Sequence, residues 1–420
     1  MTRLRYMFGK DFDFRKEVLG KDLIAGISVA VVALPLAIGF GLTSGLSAAS
    51  GLTTAIIAGF LAALFGGSRF QVSGPTGAMT VVLIPIIHQY GPIAIPYLGV
   101  LAGLIVIAMA LLHFGEVINR VPWPVIEGFT VGIACVIALQ QLPLALGIVK
   151  AQGDRTVPVA FGTIKNAISQ GINWQVVVVV VVTLIIKFGF PALSHRFKFK
   201  FHIPASFVAI IFSLLLVKMF SLNVPTIGDI PRSLGKWQGN QISLSDTAHL
   251  LWPAFLIALL CAIESLLSAR VADGMVHASG ADRYQPNREL FGQGLGTLVA
   301  SIFGGMPATG AIARTSVNVR SHAQTRLASI IHAVVLLFFA LVVAPWVSQI
   351  PAAAIAGVLI GTSYRILNPA SIRESLRTTK SEASVIVITA ISTLVIDLIW
   401  GIAIGICLYL ALHRKSLRKG

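Results

Sequence analysis

Charge is scarce in this chain of 420 residues, and acid is scarcer than base. Asp, Glu, Lys and Arg make up 11% of it, against roughly 25% in a soluble domain. Only 16 residues are acidic, against 32 Lys and Arg. No polar stretch is long enough to form a soluble domain. With 56% hydrophobic residues and a mean hydropathy of +0.86, the sequence is that of a polytopic membrane protein. Cysteine is almost absent. Cys135, Cys261 and Cys407 each lie in an apolar run without disulfide or metal-ligand spacing, and are expected to be small core residues. No phosphate loop, metal cluster or nucleophile–base pair is visible, so neither an enzyme nor a bound cofactor is expected.

The net charge of +16 does not point to nucleic acid, because the basic residues gather in loops and at the ends. Arg3, Arg5, Lys10, Arg15, Lys16 and Lys21 precede the first apolar run, and Arg414, Lys415, Arg418 and Lys419 follow the last. Positive flanks mark the cytoplasmic side, so both termini are expected inside and the span count even. The first apolar run follows a long charged lead and is a full span, which argues against a cleaved signal peptide.

Two stretches nearly repeat each other. Leu64-Phe65-Gly66-Gly67 leads to Ser73-Gly74-Pro75-Thr76-Gly77-Ala78, and Ile302-Phe303-Gly304-Gly305 leads to Met306-Pro307-Ala308-Thr309-Gly310-Ala311. Gly and Pro end one helix and leave the first N–H groups of the next without partners. Those groups carry the positive end of a helix dipole, so two facing breaks predict an anion site. Matching interruptions in two halves of a membrane protein are a pointer to a midplane site in a transporter.

Apolar runs fall near 23–43, 51–66, 75–88, 94–112, 124–146, 174–191, 203–220, 249–270, 289–303, 309–320, 327–347, 351–365, 381–398 and 400–412, about 14 segments. Runs 75–88 and 309–320 are shorter than the roughly 20 residues that cross a bilayer. They are tolerable only if the extended stretches before them, Arg69–Ser73 and Met306–Thr309, are buried or line a cavity. The polar stretch Asn223–Asp246 divides the chain into two seven-segment repeats. An odd number of spans per repeat forces opposite orientations. The expected organisation is a cytoplasmic amphipathic lead at 1–22, a first repeat at 23–221, a loop at 222–248, a second repeat at 249–413 and a basic tail at 414–420. The Val-rich run Val176–Val182 must still be helical in a bilayer.

Glu264 lies in the middle of segment eight, in Cys261-Ala262-Ile263-Glu264-Ser265-Leu266-Leu267-Ser268. An intramembrane carboxyl marks a functional site by default. Burial disfavours its charged form, which makes it a candidate proton carrier. Ser268 shares its helical face and Ser265 follows it directly. The bland alternative is a carboxylate that pins two helices. Arg314, one turn into the second short helix, suits an oxyanion; its other expected role is an ion pair with Glu264. Thr76 and Thr309 occupy matching places and are expected to cap their helices or to touch substrate. Glu127, near the start of a span, is expected at an interface, His332 in the core, and Arg270 snorkelling to the cytoplasmic face.

These residues resemble the SulP (sulfate permease) family of anion transporters. The matching pieces are Ala33-Leu34-Pro35-Leu36-Ala37-Ile38-Gly39-Phe40-Gly41, the Gly66–Ala78 break, Ala262-Ile263-Glu264-Ser265-Leu266-Leu267 with Asp273-Gly274, and Glu289-Leu290-Phe291-Gly292-Gln293-Gly294-Leu295-Gly296. Segments eight and ten look most like the bacterial C4-dicarboxylate branch. The resemblance implies an all-α, uracil-permease-type fold with a seven-plus-seven inverted repeat. It implies a core of segments 1–4 and 8–11, a gate of segments 5–7 and 12–14, an elevator movement and a homodimer. It puts substrate at Phe40, Thr76, Gly77, Ala78, Ala311, Ile312, Ala313 and Arg314, and ion coupling at Glu264, Ser265 and Ser268. The expected activity is proton-coupled uptake of sulfate, bicarbonate or a dicarboxylate across the inner (plasma) membrane. The alternatives are a sodium-coupled bicarbonate importer and an uncoupled anion channel or exchanger. Family members usually continue into a cytoplasmic STAS domain, which these 420 residues do not include.

Overall fold

A computed structural model describes residues 11–118, 120–153, 155–196, 204–228, 244–278, 280–367, 372, 379–396 and 398–417. The described residues of the first half form α1 (Lys16–Thr43), α2 (Ala48–Phe65), β1 (Ser73–Gly74), α3 (Gly77–Tyr90), α4 (Ala94–Leu111), α5 (Phe114–Ile118), α6 (Trp123–Gln140), α7 (Leu142–Leu146), α8 (Thr156–Gln170), α9 (Trp174–Arg196) and α10 (Ala205–Met219). The second half forms α11 (Leu244–Val276), α12 (Pro286–Ile302), β2 (Thr309–Gly310), α13 (Ile312–Arg320), α14 (Leu327–Phe338), α15 (Ala352–Leu367), α16 (Lys380–Val395) and α17 (Leu398–Leu417). A π-helical turn, Phe339–Val343, carries α14 on to Val347.

Every apolar run found in the sequence lies on a helix, including the Val-rich one in α9. Among the described residues, seven helices are long and apolar enough to cross a bilayer, and α3, α10, α15 and part of α17 are shorter apolar helices.

Three boundaries differ from expectation. Residues 12–15 are not helical, and α1 starts at Lys16 and runs unbroken into the first span. Residues 16–22 of the lead therefore belong to the helix of the first span. Asp22 explains its position: the buried carboxylate accepts from Gln324 N at 2.7 Å and Thr325 N at 3.2 Å, which docks the start of α1 on the loop before α14. Helix α11 runs to Val276, beyond the apolar run. Helix α8 has no counterpart among the predicted spans. It is amphipathic, burying Val159, Ala160, Thr163 and Ala167 while Phe161 and Ile168 are exposed. Residues 1–10 of the lead, 229–243 of the inter-repeat loop and 418–420 of the tail lie outside the described residues. Cys261 is buried, but Cys407 is exposed and Cys135 only partly buried, so the core expectation holds for one of the three.

The chain divides into two compact units. One comprises Met1–Asn119, Ser194–Val208 and Ile227–Ile350, and holds segments 1–4 and 8–11. Small residues bring its helices close. A Cβ at Gly103 of α4 would meet Leu298 N at 2.7 Å and Gly294 O at 2.8 Å on α12. The other comprises Arg120–Leu193, Ala209–Thr226 and Pro351–Gly420, and holds most of segments 5–7 with segments 12–14. In it, Gly128 and Gly132 of α6 lie against Thr389 and Thr393 of α16. The buried Lys187 amine donates to Val358 O at 2.9 Å and Thr362 Oγ1 at 2.8 Å on α15.

Candidate functional site

All the residues singled out as substrate or coupling groups fall in the first unit. The two breaks meet there. Ser73 pairs with Gly310 and Gly74 with Thr309 in a two-stranded antiparallel bridge, and each strand leads within two residues into a short helix, α3 or α13. The extended stretches thus reach one residue further than expected, to Gly74 and Gly310.

Backbone at this depth has no water to pair with, so its N–H and C=O groups need protein partners. Hydroxyls from neighbouring helices supply them. Thr54 Oγ1 of α2 accepts from Met306 N at 2.8 Å and donates to Met306 O at 3.0 Å. Thr297 of α12 does the same for Ala308 at 3.3 and 3.2 Å. Ser265 Oγ accepts from Gly310 N at 3.0 Å, and Thr315 Oγ1 accepts from Val72 N at 3.1 Å. Ala311 N donates to Val72 O at 2.9 Å, continuing the bridge.

Glu289 holds the approach to the first break. Its carboxylate, buried on α12, accepts from Gly67 N at 2.7 Å, Ser68 N at 2.8 Å, Gln71 Nε2 at 2.7 Å and Gln293 Nε2 at 2.9 Å. Gln293 Nε2 also donates to Ser73 Oγ. In the sequence, Glu289 stands out only as part of the Glu289–Gly296 motif. Its pairing with Gln293 four residues on, inside an apolar run, was the available signal.

Glu264 sits where the two breaks converge. Its Oε2 accepts from Thr76 Oγ1 at 2.8 Å and from Thr309 Oγ1 at 2.7 Å. Thr76 also caps α3, accepting a long bond from Met79 N at 3.4 Å. Thr309 does not cap α13: the N-cap position is Ala311, which has no capping side chain. A strand residue lies too far before the first turn, and the hydroxyl turns to the carboxylate instead.

No ion pair joins Glu264 to Arg314 among the described residues. Arg314 is 1% exposed, and its Nη2 donates to Pro75 O at 2.8 Å, across the bridge from its own helix. Its guanidinium covers Gly74. Its Nε and Nη1 have no hydrogen-bond partner among the described residues. Two donors of a buried cation are therefore open beside the start of α3. Ser268, one turn along α11 from Glu264, donates its Oγ–H to Thr315 Oγ1 at 3.0 Å. Gly77 and Ala78 are buried in the first turn of α3, Ala311 is buried, and Ile312 and Ala313 are half-buried in the first turn of α13. Phe40 is buried on α1, and its carbonyl accepts a long bond from Thr80 Oγ1 at 3.4 Å. His332 is buried on α14, Glu127 is half-buried on α6 and Arg270 is exposed.

Two half-helices meeting at an antiparallel bridge, inside a bundle of apolar helices, define a uracil-permease-type inverted-repeat membrane protein. Solved structures share the fold. The transmembrane domain of a cyanobacterium bicarbonate transporter, BicA, matches with a TM-score of 0.81 and 28% identity over 96% of this chain and 99% of that one. Murine Solute Carrier 26 family member A9, an anion transporter in the inward-facing state, matches in fold with a TM-score of 0.82 and 17% identity over 98% and 72%. In sequence, YvdB of Bacillus subtilis, named as a sulfate transporter, is 35% identical over 92% of this chain and 72% of its own length. The bicarbonate transporter BicA of Picosynechococcus is 30% identical over 92% and 68%. The sequence profile of the sulfate permease family matches residues 19–389, and the chain belongs to that family.

Proposed function

We propose that this protein is a secondary active transporter of small oxyanions, such as sulfate or bicarbonate, driven by protons entering with the substrate. The observation that carries the reading is the buried Arg314 with two open donors beside the paired half-helix starts. An anion there would take guanidinium hydrogen bonds together with the free N–H groups of the first turns. Glu264 supplies the coupling. Ionised, it takes both threonine hydroxyls by charge-assisted bonds and repels an anion; protonated, it holds them only by neutral bonds and the repulsion is gone. Proton and anion then enter together, and lower outside pH raises uptake.

Movement follows an elevator scheme in this reading. Segments 1–4 and 8–11 carry the whole site and travel as one body, while segments 5–7 and 12–14 stay fixed and form the contact of a homodimer. The protein works in the plasma membrane with both termini in the cytoplasm. Uptake into proteoliposomes from a panel of labelled anions, with and without an inward proton gradient, tests this. Accumulation of at least one oxyanion above its equilibrium level under the gradient supports it. Accumulation that follows sodium and ignores pH, or equilibration without accumulation, refutes the coupling.

A further inference from the structure

We propose that Thr76 is a hydrogen-bond donor to the transported anion, made available or withdrawn by a single proton on Glu264, with Thr309 holding the hydroxyl in position. The inference rests on the proton-coupled anion reading above and specifies how the proton is sensed.

Three oxygens form a closed triangle: Thr76 Oγ1 to Glu264 Oε2 at 2.8 Å, Thr309 Oγ1 to the same Oε2 at 2.7 Å, and Thr309 Oγ1 to Thr76 Oγ1 at 3.2 Å. A hydroxyl has one hydrogen to give and can accept two, whereas an ionised carboxylate only accepts. With Glu264 ionised, both hydroxyl hydrogens go to Oε2 as charge-assisted bonds, about twice as strong as neutral ones. Thr76 then has no donor left for an anion. When a proton from hydronium binds the carboxylate, the new carboxylic O–H donates to Thr309 and the Thr309 hydroxyl can turn to Thr76. The remaining bond from Thr76 to Glu264 becomes a neutral one. An anion at the start of α3 is now the stronger acceptor, and the Thr76 hydrogen rotates to it. The only covalent change is one proton passing from hydronium to Glu264: an O–H breaks in the hydronium, one forms on the carboxyl, and water is left behind.

Position selects Thr76 over Thr309. Thr309 is fully buried, while Thr76 is 8% exposed and lies at the mouth of α3, where the Gly77 and Ala78 N–H groups open. The ionisable groups on elements packed against α11 are Arg314 and Arg320 of α13, Arg288 and Glu289 of α12, Tyr97 of α4, Glu116 of α5, and His88 and Tyr90 in the last turn of α3. None of them hydrogen-bonds Glu264, so among the described residues the two threonines are its hydrogen-bond partners.

The test is binding of sulfate, whose charge is constant between the two conditions, to the purified full chain in nanodiscs at about pH 5 and about pH 8, by calorimetry. The carboxyl infrared band of Glu264 is followed in parallel. Exchanging a neutral for a charge-assisted donor is worth about tenfold in affinity, so wild type is expected to bind about tenfold tighter at the lower pH. Thr76→Val should lose most of that ratio, keeping only the part due to the Glu264 charge, while Glu264 still titrates, and Thr76→Ser should keep the ratio. If the valine variant does not fold, Thr76→Ala carries the same expectation. A Thr76→Val or Thr76→Ala protein that binds more weakly by the same factor at both pH values, with the ratio intact, overturns the proposal, because Thr76 is then a contact or cap blind to the proton. A wild type without any pH dependence fails earlier, on the coupling reading itself.

Discussion

The Arg314 guanidinium, rooted in the second half-helix, donates at 2.8 Å to the Pro75 carbonyl that leads into the first. This bond adds a side-chain tie to the backbone bridge between the two breaks and leaves two donors open. Replacing Arg314 by Ala should lower anion affinity about tenfold to a hundredfold, since a charge-assisted contact is worth roughly 1.5–3 kcal/mol. The protein should still fold, because the fold loses a single hydrogen bond. Calorimetry on the folded variant checks it; unchanged affinity removes Arg314 from the site.

Gly74 makes that bond possible. A Cβ there would collide with the guanidinium and lie 3.3 Å from Ala55 Cα on α2. Gly74→Ala should therefore displace Arg314 and weaken anion binding about as much as Arg314→Ala does, and the double variant should be little worse than either alone. Additive losses in that cycle would show that Gly74 acts through something other than Arg314.

Glu289 is a stability prediction. Removing its carboxylate strands the buried N–H groups of Gly67 and Ser68 and the Gln71 amide. Glu289→Ala should cost about 3 kcal/mol, and more if the Gly66–Gln71 loop loosens. Glu289→Gln should cost less, since one oxygen still accepts. Thermal unfolding in detergent ranks the three proteins, and equal melting temperatures for wild type and Glu289→Ala would refute the anchoring role.

The sequence shows the parts that are local. Every apolar helical run is legible from hydropathy alone, because a bilayer admits few other solutions. The Gly/Pro breaks reveal the two half-helices, and Glu264 announces itself as a charge in an apolar run. What the sequence hides is long-range pairing. Thr54 with Met306, Thr315 with Val72, and Thr76 and Thr309 with Glu264 are contacts across the chain that no periodicity encodes. The expected Glu264–Arg314 pair paired opposite charges by proximity in the pattern, whereas the structure satisfies the carboxylate with hydroxyls and leaves the cation open. Helix α8 escaped for the opposite reason: it is too short and too polar to register as a span.

The central claim is that Glu264 couples a proton to the anion, and Glu264→Gln tests it most directly. The amide cannot ionise, so the variant is fixed in the state that binds substrate. In proteoliposomes loaded with unlabelled substrate, it should still exchange labelled anion across the membrane. Under an inward proton gradient with empty vesicles, it should no longer accumulate anion above equilibrium, while wild type does. Full proton-driven accumulation by Glu264→Gln would contradict the account and move the coupling to another group.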